Sequence, residues 1–262
     1  MVSFFFLDHF PSVVIALSIF TLMLLFNFAG IKVGLWRFKN SSRKNIEEID
    51  ATESGLLGLL ALLLAFTFGA SNTRHDKRFE AFIKEASDIS TVILRADLYP
   101  DSSRTIFRKD FSDYVEARIA FYEVGFEKEA IQAALEKSNS ISKRIWDRAV
   151  LLAKDKENAI ASNQMLPGLN TMIVVAKEQT ALTNARVPGL ILWMLFILCF
   201  VSSFIFGYGL RTKIDWIVIC GFSLMISLCI YVILDLDRPK GGLITMEKAQ
   251  EEIVELRKMF IK

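Results

Sequence analysis

Residues 54–72, SGLLGLLALLLAFTFGASN, decide the fold of this chain. The stretch carries no charged side chain, and about 19 residues in a helix are long enough to cross the hydrocarbon core of a membrane. The segment that follows is strongly charged, yet it contains no proline before Pro100. Because nothing stops the helix at the membrane boundary, we predict a single helix that leaves the membrane and becomes the first helix of a polar domain.

The small residues of this span fall on one side of the predicted helix, at about 100° per residue. That face consists of Gly55, Gly58, Leu62, Ala65 and Gly69, and the opposite face of Leu56, Leu60, Leu63 and Thr67. In one interpretation, Gly55, Ala65 and Gly69 form a packing face that lets other helices approach closely. In the other, Gly58, Leu62 and Phe66, spaced four residues apart, line the hydrophobic neck of a pore that gates ions by dewetting.

The overall composition fits neither a soluble protein nor a protein confined to the membrane. Of 262 residues, 53% are hydrophobic and 23% are charged, with a mean hydropathy of +0.38. This mixture predicts membrane spans together with a sizeable polar domain. The net charge of +2 gives no indication of a nucleic-acid partner. Three cysteines in apolar runs and two distant histidines predict neither a disulfide framework nor a metal site, and no cofactor is expected.

Hydrophobic runs and their interruptions divide the chain into seven segments. Apolar residues recur at helical spacing in the polar part, without strand-like alternation, so the soluble domain is predicted to be all-helical. The fold class is therefore an all-α membrane protein: four transmembrane helices, with the domain inserted between the second and third. The predicted segments are an N-terminal segment with the first membrane helix (1–36), a short charged loop (37–53), the second membrane helix (54–72), the helical domain (73–187), the third membrane helix (188–210), the fourth (214–235) and a C-terminal amphipathic helix (236–262).

Alternatives remain at both ends of the chain and inside the domain. A signal peptide is the competing interpretation of the first apolar run, but its start is not basic and no cleavage site follows. Inside the domain we predict a break at residues 138–140 and a helix end at Leu166-Pro167-Gly168. The C-terminal helix is expected either to pack on the domain or to pair with a second copy of itself.

An acidic and basic motif ends the fourth span. Asp235, Asp237 and Arg238 precede Pro239, which forces an extended turn. A functional interpretation is a site for a cation or for an arginine of the domain. The simpler interpretation is a solvated helix end with local ion pairs.

Four further charged residues lie just beyond the second span and along the first domain helix. Arg74 and Arg78 are either anchors in the lipid headgroups or part of a vestibule that attracts anions. Arg95 and Asp97 lie beside the apolar stripe and are expected to form ion pairs with a neighbouring helix. Basic residues near the span ends favour a cytoplasmic domain only slightly.

Catalytic motifs are missing from the sequence. It contains no glycine-rich phosphate loop, no H-E-x-x-H and no G-x-S-x-G, so the protein is not predicted to be an enzyme. No charge lies in the middle of any span, which argues against an ion-coupled transporter.

Four motifs in order resemble the bestrophin-like family of bacterial membrane proteins. They are GLLGLLALLLAFTFGAS (55–71), EASDISTVILRADLYP (85–100), LPGLNTMI (166–173) and YVILDLDRPKGGLI (231–244). More distantly, the second span and the RHDKRFEA that follows resemble bestrophins, which are pentameric ion channels with four membrane helices per subunit and a large cytosolic helical domain.

The resemblance implies a homo-oligomer, a pentamer if the chain is a true bestrophin, that conducts inorganic ions across the bacterial inner membrane. It also implies that the domain and both termini are cytoplasmic, and it places Gly58, Leu62 and Phe66 near the neck. The sequence departs from the bestrophin pattern at Gly58, where a bulky apolar residue is expected, and at Thr67, where a charge is common. The alternative hypothesis is a non-conducting membrane scaffold or sensor whose helical domain binds a partner.

Overall fold

The structure, a computed structural model, describes residues 10–37, 44–124, 128–209, 215–238 and 246–261. Every regular element in these ranges is helical, which confirms the predicted all-α class. The long helices are α1 (Ser12–Arg37), α2 (Lys44–Arg95), α3 (Asp101–Glu123), α4 (Lys128–Leu152), α5 (Ala159–Asn184), α6 (Gly189–Gly209), α7 (Trp216–Asp237) and α8 (Glu247–Glu255). Short 3-10 helices follow α2, α4 and α8 at Ala96–Leu98, Lys156–Asn158 and Leu256–Phe260. Residues 1–9 of the predicted N-terminal segment lie outside the described residues.

Four helical stretches are long and apolar enough to cross a membrane, as predicted from the sequence. They contain α1, the first part of α2, α6 and α7. Asp215 begins α7 by accepting backbone hydrogen bonds from Ile217 and Val218, which satisfies two of the free N–H groups of the first turn. The fourth span ends at Asp237, two residues beyond the predicted boundary.

The second span belongs to a continuous helix of 52 residues. As the sequence predicted, α2 runs without interruption from the apolar stretch into the charged one. It begins earlier than expected, however, because residues 44–53, assigned to a charged loop, are helical. This segment contains neither glycine nor proline, and its one basic and four acidic side chains do not prevent helix formation.

The described chain forms two compact units. The first comprises Met1–His75 and Arg186–Ile244, and the second Asp76–Ala185 and Thr245–Lys262. The C-terminal helix therefore belongs to the second unit. Its apolar side is buried in that unit's core through Met246, Ile253 and Leu256, which favours packing on the domain over pairing with another copy.

In the first unit, α1 and α6 cross at very close range through glycines. A Cβ on Gly30 would lie 2.1 Å from the carbonyl oxygen of Phe204, and one on Gly207 would lie 2.1 Å from that of Asn27. Distances this short leave no room for any side chain. The crossing therefore follows the small-residue rule for membrane helices.

In the second unit, two predicted helix breaks are wrong. Residues 138–140 lie inside α4, where Ser138 and Ser140 donate to carbonyls three residues earlier. Pro167 lies inside α5, which is continuous from Ala159 to Asn184. A proline in a helix removes one backbone hydrogen bond. The acceptor that loses its partner here is the carbonyl four residues before Pro167. The Arg95 guanidinium donates to the next carbonyl along the chain, that of Gln164, at 2.6 Å.

Candidate functional site

The residues predicted to line a pore lie on an uncovered side of α2. Leu62 is 53% exposed and Phe66 68% exposed in the single chain. Gly58 is exposed as well, and a Cβ on it would meet no described atom within 4 Å. Since the three residues are spaced four apart, they form a strip along the helix.

The residues predicted to be a packing face are uncovered too. Gly55, Ala65 and Gly69 are exposed, and a Cβ on either glycine would meet no described atom within 4 Å. Within one chain these small residues do not bring helices together, in contrast to Gly30 and Gly207. They are available to lipid, to water or to a second copy of the chain.

The opposite side of α2 holds it against the rest of the first unit. Leu60 is 2% exposed and Thr67 3% exposed, and the Thr67 hydroxyl donates to the Leu63 carbonyl at 2.7 Å. The helix is therefore attached along one narrow edge. In its most apolar 18 residues, α2 buries 17% of positions, against 39% in α1 and in α7.

The acidic motif at the end of α7 forms a buried ion-pair cluster within the first unit. Both carboxylate oxygens of Asp237 accept from the backbone N–H of Val187, at 3.0 and 3.1 Å. Arg74 forms an ion pair with the same carboxylate at 3.3 Å, and Arg186 donates to the Asp237 carbonyl at 2.6 Å. The sequence-predicted residues Arg74 and Asp237 are thus brought together.

The solvated helix end favoured by the sequence is therefore not what the structure contains. Asp235 is 1% and Asp237 7% exposed. Arg238 donates to the carbonyl of Phe10 at 2.7 Å, which connects the end of α7 to the segment before α1. A buried carboxylate at a membrane helix end needs such donors, because desolvation otherwise disfavours its charge.

Arg78, predicted to be a headgroup anchor or a vestibule residue, is instead buried in the second unit, and the predicted ion pair of Asp97 lies in that unit too. Arg78 is 1% exposed and donates to the carbonyls of Leu182 and Ala185, at 3.0 and 2.5 Å. These carbonyls end α5, where a positive charge meets the negative end of the helix dipole. Asp97 forms a two-point ion pair with Arg108 at 2.9 and 3.0 Å.

A buried polar network in the second unit was missed by the sequence analysis. Arg118, 1% exposed, donates to Glu85, 0% exposed, through Nε at 2.6 Å and Nη2 at 3.1 Å. Nη2 also donates to the Tyr122 hydroxyl at 2.5 Å, and that hydroxyl donates to Glu85. The signal was a charged residue within the apolar stripe of α3, between Tyr114 and Tyr122 at a spacing of four.

Burial controls the protonation of this network. It raises the pKa of Tyr122 well above the ordinary tyrosine value, and the nearby Glu85 carboxylate raises it further. Burial likewise raises the pKa of Tyr114, an effect that Arg118 opposes. Tyr122 therefore stays a neutral phenol, the form that can donate to Glu85.

In the part of the chain that the structure describes, no group of three or more His, Cys, Asp or Glu side chains is arranged to hold a metal ion.

Comparisons with known proteins agree with this architecture. The bestrophin-like domain matches residues 21–249. A variant of a bacterial bestrophin homologue from Klebsiella pneumoniae, with one tryptophan replaced by alanine, superposes with a TM-score of 0.67 at 14% identity, over 95% of this chain and 99% of that one. The same homologue phased with zinc gives a TM-score of 0.61 at 14% identity, over 91% and 98%. A structure described as a membrane protein gives 0.65 at 13% identity, over 92% and 98%.

Comparison with curated proteins gives no match. The likeness to the solved structures, at this low identity, is a likeness of fold. The family match covers most of the chain and includes the second span, the α5 motif and the end of α7. The chain therefore belongs to the bestrophin-like family and is an all-α membrane protein, as its four ordered motifs predicted.

Proposed function

We propose that this protein is an oligomeric ion channel whose neck is formed by the membrane part of α2. The observation that carries the proposal is the continuous strip of Gly58, Leu62 and Phe66. It is exposed on a helix whose opposite side is fixed in the chain's own core. Membership of the bestrophin-like family supports it, since the more distant bestrophins are ion channels.

The chemistry of the strip determines how such a neck would work. Several copies around an axis, five by analogy with bestrophins, would turn each exposed residue into a ring. Rings of Leu62 and Phe66 offer ions no polar ligand, so a narrow neck excludes water and stays closed until it widens. A ring at Gly58 has no side chains, so the constriction is limited to the two larger residues.

Planar-bilayer recordings of the purified protein test conduction. We expect Leu62→Ala and Phe66→Ala to increase the open-state current, because smaller rings hydrate more easily. The matched control is Leu190→Ala in α6, where the side chain is 79% exposed on a different helix and the current should not change. Absence of current in the native protein and in both neck variants would rule the channel out.

Disulfide cross-linking tests the position of the strip. In a background without the three native cysteines, Phe66→Cys should give linked dimers under mild oxidation, because equivalent residues face each other across an axis. Ile217→Cys in α7, 83% exposed, is the control and should remain unlinked. The reverse pattern would place α2 at the lipid-facing side.

We further propose that the second unit and both termini lie in the cytoplasm of a bacterium, with the spans in the inner membrane. The resemblance to bestrophins and the slight excess of basic residues on that side support this orientation. Lys154→Cys, on an exposed turn of the second unit, should react with an impermeant maleimide only after the cells are opened. Labelling of intact spheroplasts would reverse the orientation.

The alternative, a non-conducting scaffold or sensor, has less support. A scaffold or sensor would bury the second span in its own bundle and would bind its partner through the helical domain and the C-terminal helix. In this chain the strip on α2 is exposed, and the apolar side of α8 is occupied by the core of the second unit.

A further inference from the structure

The second unit contains an open cleft that the proposed channel does not use. It lies between α4 and α5 and has a volume of about 560 Å³. This is within the usual range of roughly 300–1,000 Å³ for sites that bind small molecules. Its walls combine positive charge with apolar surface. The charged residues are Arg118, Lys143 and Lys177, and the apolar ones include Trp146 and Ile173.

The base of the cleft is a buried arginine with hydrogen-bonding capacity to spare. Arg118 uses Nε and Nη2 for Glu85, Tyr122 and Gln179. Among the described residues, its Nη1 donates no hydrogen bond. A guanidinium has five N–H donors, so the two on Nη1 remain for a group that enters the cleft. The two-point contact with Glu85 fixes the guanidinium in position before anything binds.

The charge of the cleft selects an anion. Glu85 neutralises Arg118, so the excess charge comes from Lys143 and Lys177, both on exposed side chains. No carboxylate is among the described residues that line the cleft. A carboxylate group fits this set, since it accepts from a guanidinium nitrogen and from an ammonium at the same time.

The apolar wall selects what the anion is attached to. Trp146 is half-buried and offers part of its indole to the cleft, next to Ile173 and Leu135. An inorganic ion would leave the apolar surface around Trp146 in contact with water, so this surface would contribute nothing to its binding. An aromatic or aliphatic body in contact with the indole removes apolar area from water.

We propose that this cleft is a binding site for a small organic carboxylate with an aromatic or aliphatic body. The carboxylate lies against Arg118 Nη1 and the two lysines, and the body lies against Trp146. The site is independent of the proposed channel, because it is formed entirely by the second unit and is tested by binding alone.

Tryptophan fluorescence of the full-length protein in detergent tests the proposal, with benzoate as the probe. Replacing Trp36, Trp193 and Trp216 by Phe leaves Trp146 as the only emitter. We expect saturable quenching by benzoate and a rise in the thermal midpoint. Benzylammonium, which has the same ring and the opposite charge, should do neither at equal ionic strength.

Lysine variants locate the anion. Lys143→Gln and Lys177→Gln should each weaken benzoate binding by about tenfold, the usual effect of losing a charged hydrogen-bond donor. Lys154→Gln, an exposed lysine outside the cleft, is the matched control and should bind as before. Arg118→Lys keeps a positive charge beside Glu85 and should abolish binding with little change in helix content.

Three results would overturn the proposal. They are quenching that does not saturate, equal quenching by benzylammonium, and benzoate binding that is unchanged by both lysine substitutions. None of these outcomes bears on conduction, so the binding-site proposal and the channel proposal are tested independently.

Discussion

The two halves of α2 contrast sharply, although they belong to one helix. In the half that belongs to the second unit, Ile89, Val92 and Ile93 are fully buried. In the membrane half, Leu62 and Phe66 are more than half exposed. The half in the second unit is covered by residues of its own chain. The membrane half leaves an apolar side exposed to lipid, water or another copy. The comparison separates residues that maintain the fold from residues that are free to serve a function.

The largest expected effect concerns the polar network that holds the domain half. Glu85→Ala leaves Arg118 buried and unpaired, which should destabilise the second unit by about 3–5 kcal/mol. The double variant Glu85→Leu with Arg118→Met should recover most of this loss, because an apolar pair needs no compensation. Thermal unfolding followed by circular dichroism measures both. If the single variant is as stable as the native protein, the network does not hold α2.

The second prediction compares the two halves directly. Ile89→Ala removes a fully buried side chain and should cost about 2–5 kcal/mol. Leu62→Ala removes an exposed one and should change the stability of the chain by less than about 0.5 kcal/mol. Unfolding midpoints of both variants in one detergent provide the test. Equal losses would mean that Leu62 is already covered, for instance within a stable oligomer.

The third prediction concerns glycines. Gly207→Ala introduces a Cβ that would lie 2.1 Å from the Asn27 carbonyl oxygen, and should destabilise the first unit by about 1–3 kcal/mol. Gly58→Ala meets no described atom and should be neutral or stabilising by up to about 1 kcal/mol, since alanine favours the helix. Thermal stability in detergent distinguishes them. A destabilised Gly58→Ala would point to a close neighbour at this position.

The smallest effect concerns the attachment of the C-terminal segment to α3. The hydrogen bond from Arg257 lowers the pKa of Glu116. A carboxyl whose pKa is lower in the folded state stabilises that state above its unfolded pKa, and this contribution disappears as the pH falls through the folded pKa. The pair is exposed, so less than about 1 kcal/mol is involved.

Hydrogen exchange of α8 measures this contribution. Protection should fall on acidification from neutral pH to below the ordinary glutamate range. Glu116→Gln should reduce protection at neutral pH and remove this part of the pH dependence. An unchanged pH profile in the variant would assign the effect to another group.

Local sequence signals predicted the helices. The features that depend on contacts between distant residues could not be predicted from the sequence. The charge-free run at 54–72 and the absence of a breaker before Pro100 predicted the second span and its continuation. The stop at Pro167 was wrong: α5 continues through this proline from Ala159 to Asn184. Glu85 and Arg118 are 33 positions apart in the sequence and lie on different helices, so no local pattern identifies them as partners.

The candidate site was predicted only in part. Helical periodicity separated the exposed strip of Leu62 and Phe66 from the buried edge at Leu60 and Thr67. Periodicity could not distinguish a packing face from a pore face, since both require small or apolar residues on one side. The cleft above Arg118 depends on how α4 and α5 are spaced, which the sequence does not encode locally.

The close crossing of α1 and α6 has a consequence for the order in which the protein is made. Gly30 and Phe204 touch through their backbones, yet Phe204 is synthesised about 170 residues later. At roughly 5–20 residues per second, α1 waits on the order of ten seconds or longer before α6 exists. During that time the side of α1 at Gly30 and Gly34, with the Asn27 backbone carbonyl that Gly207 later approaches, lies uncovered by α6. α1 therefore meets α6 only after the chain of the second unit up to Ala185 has been translated.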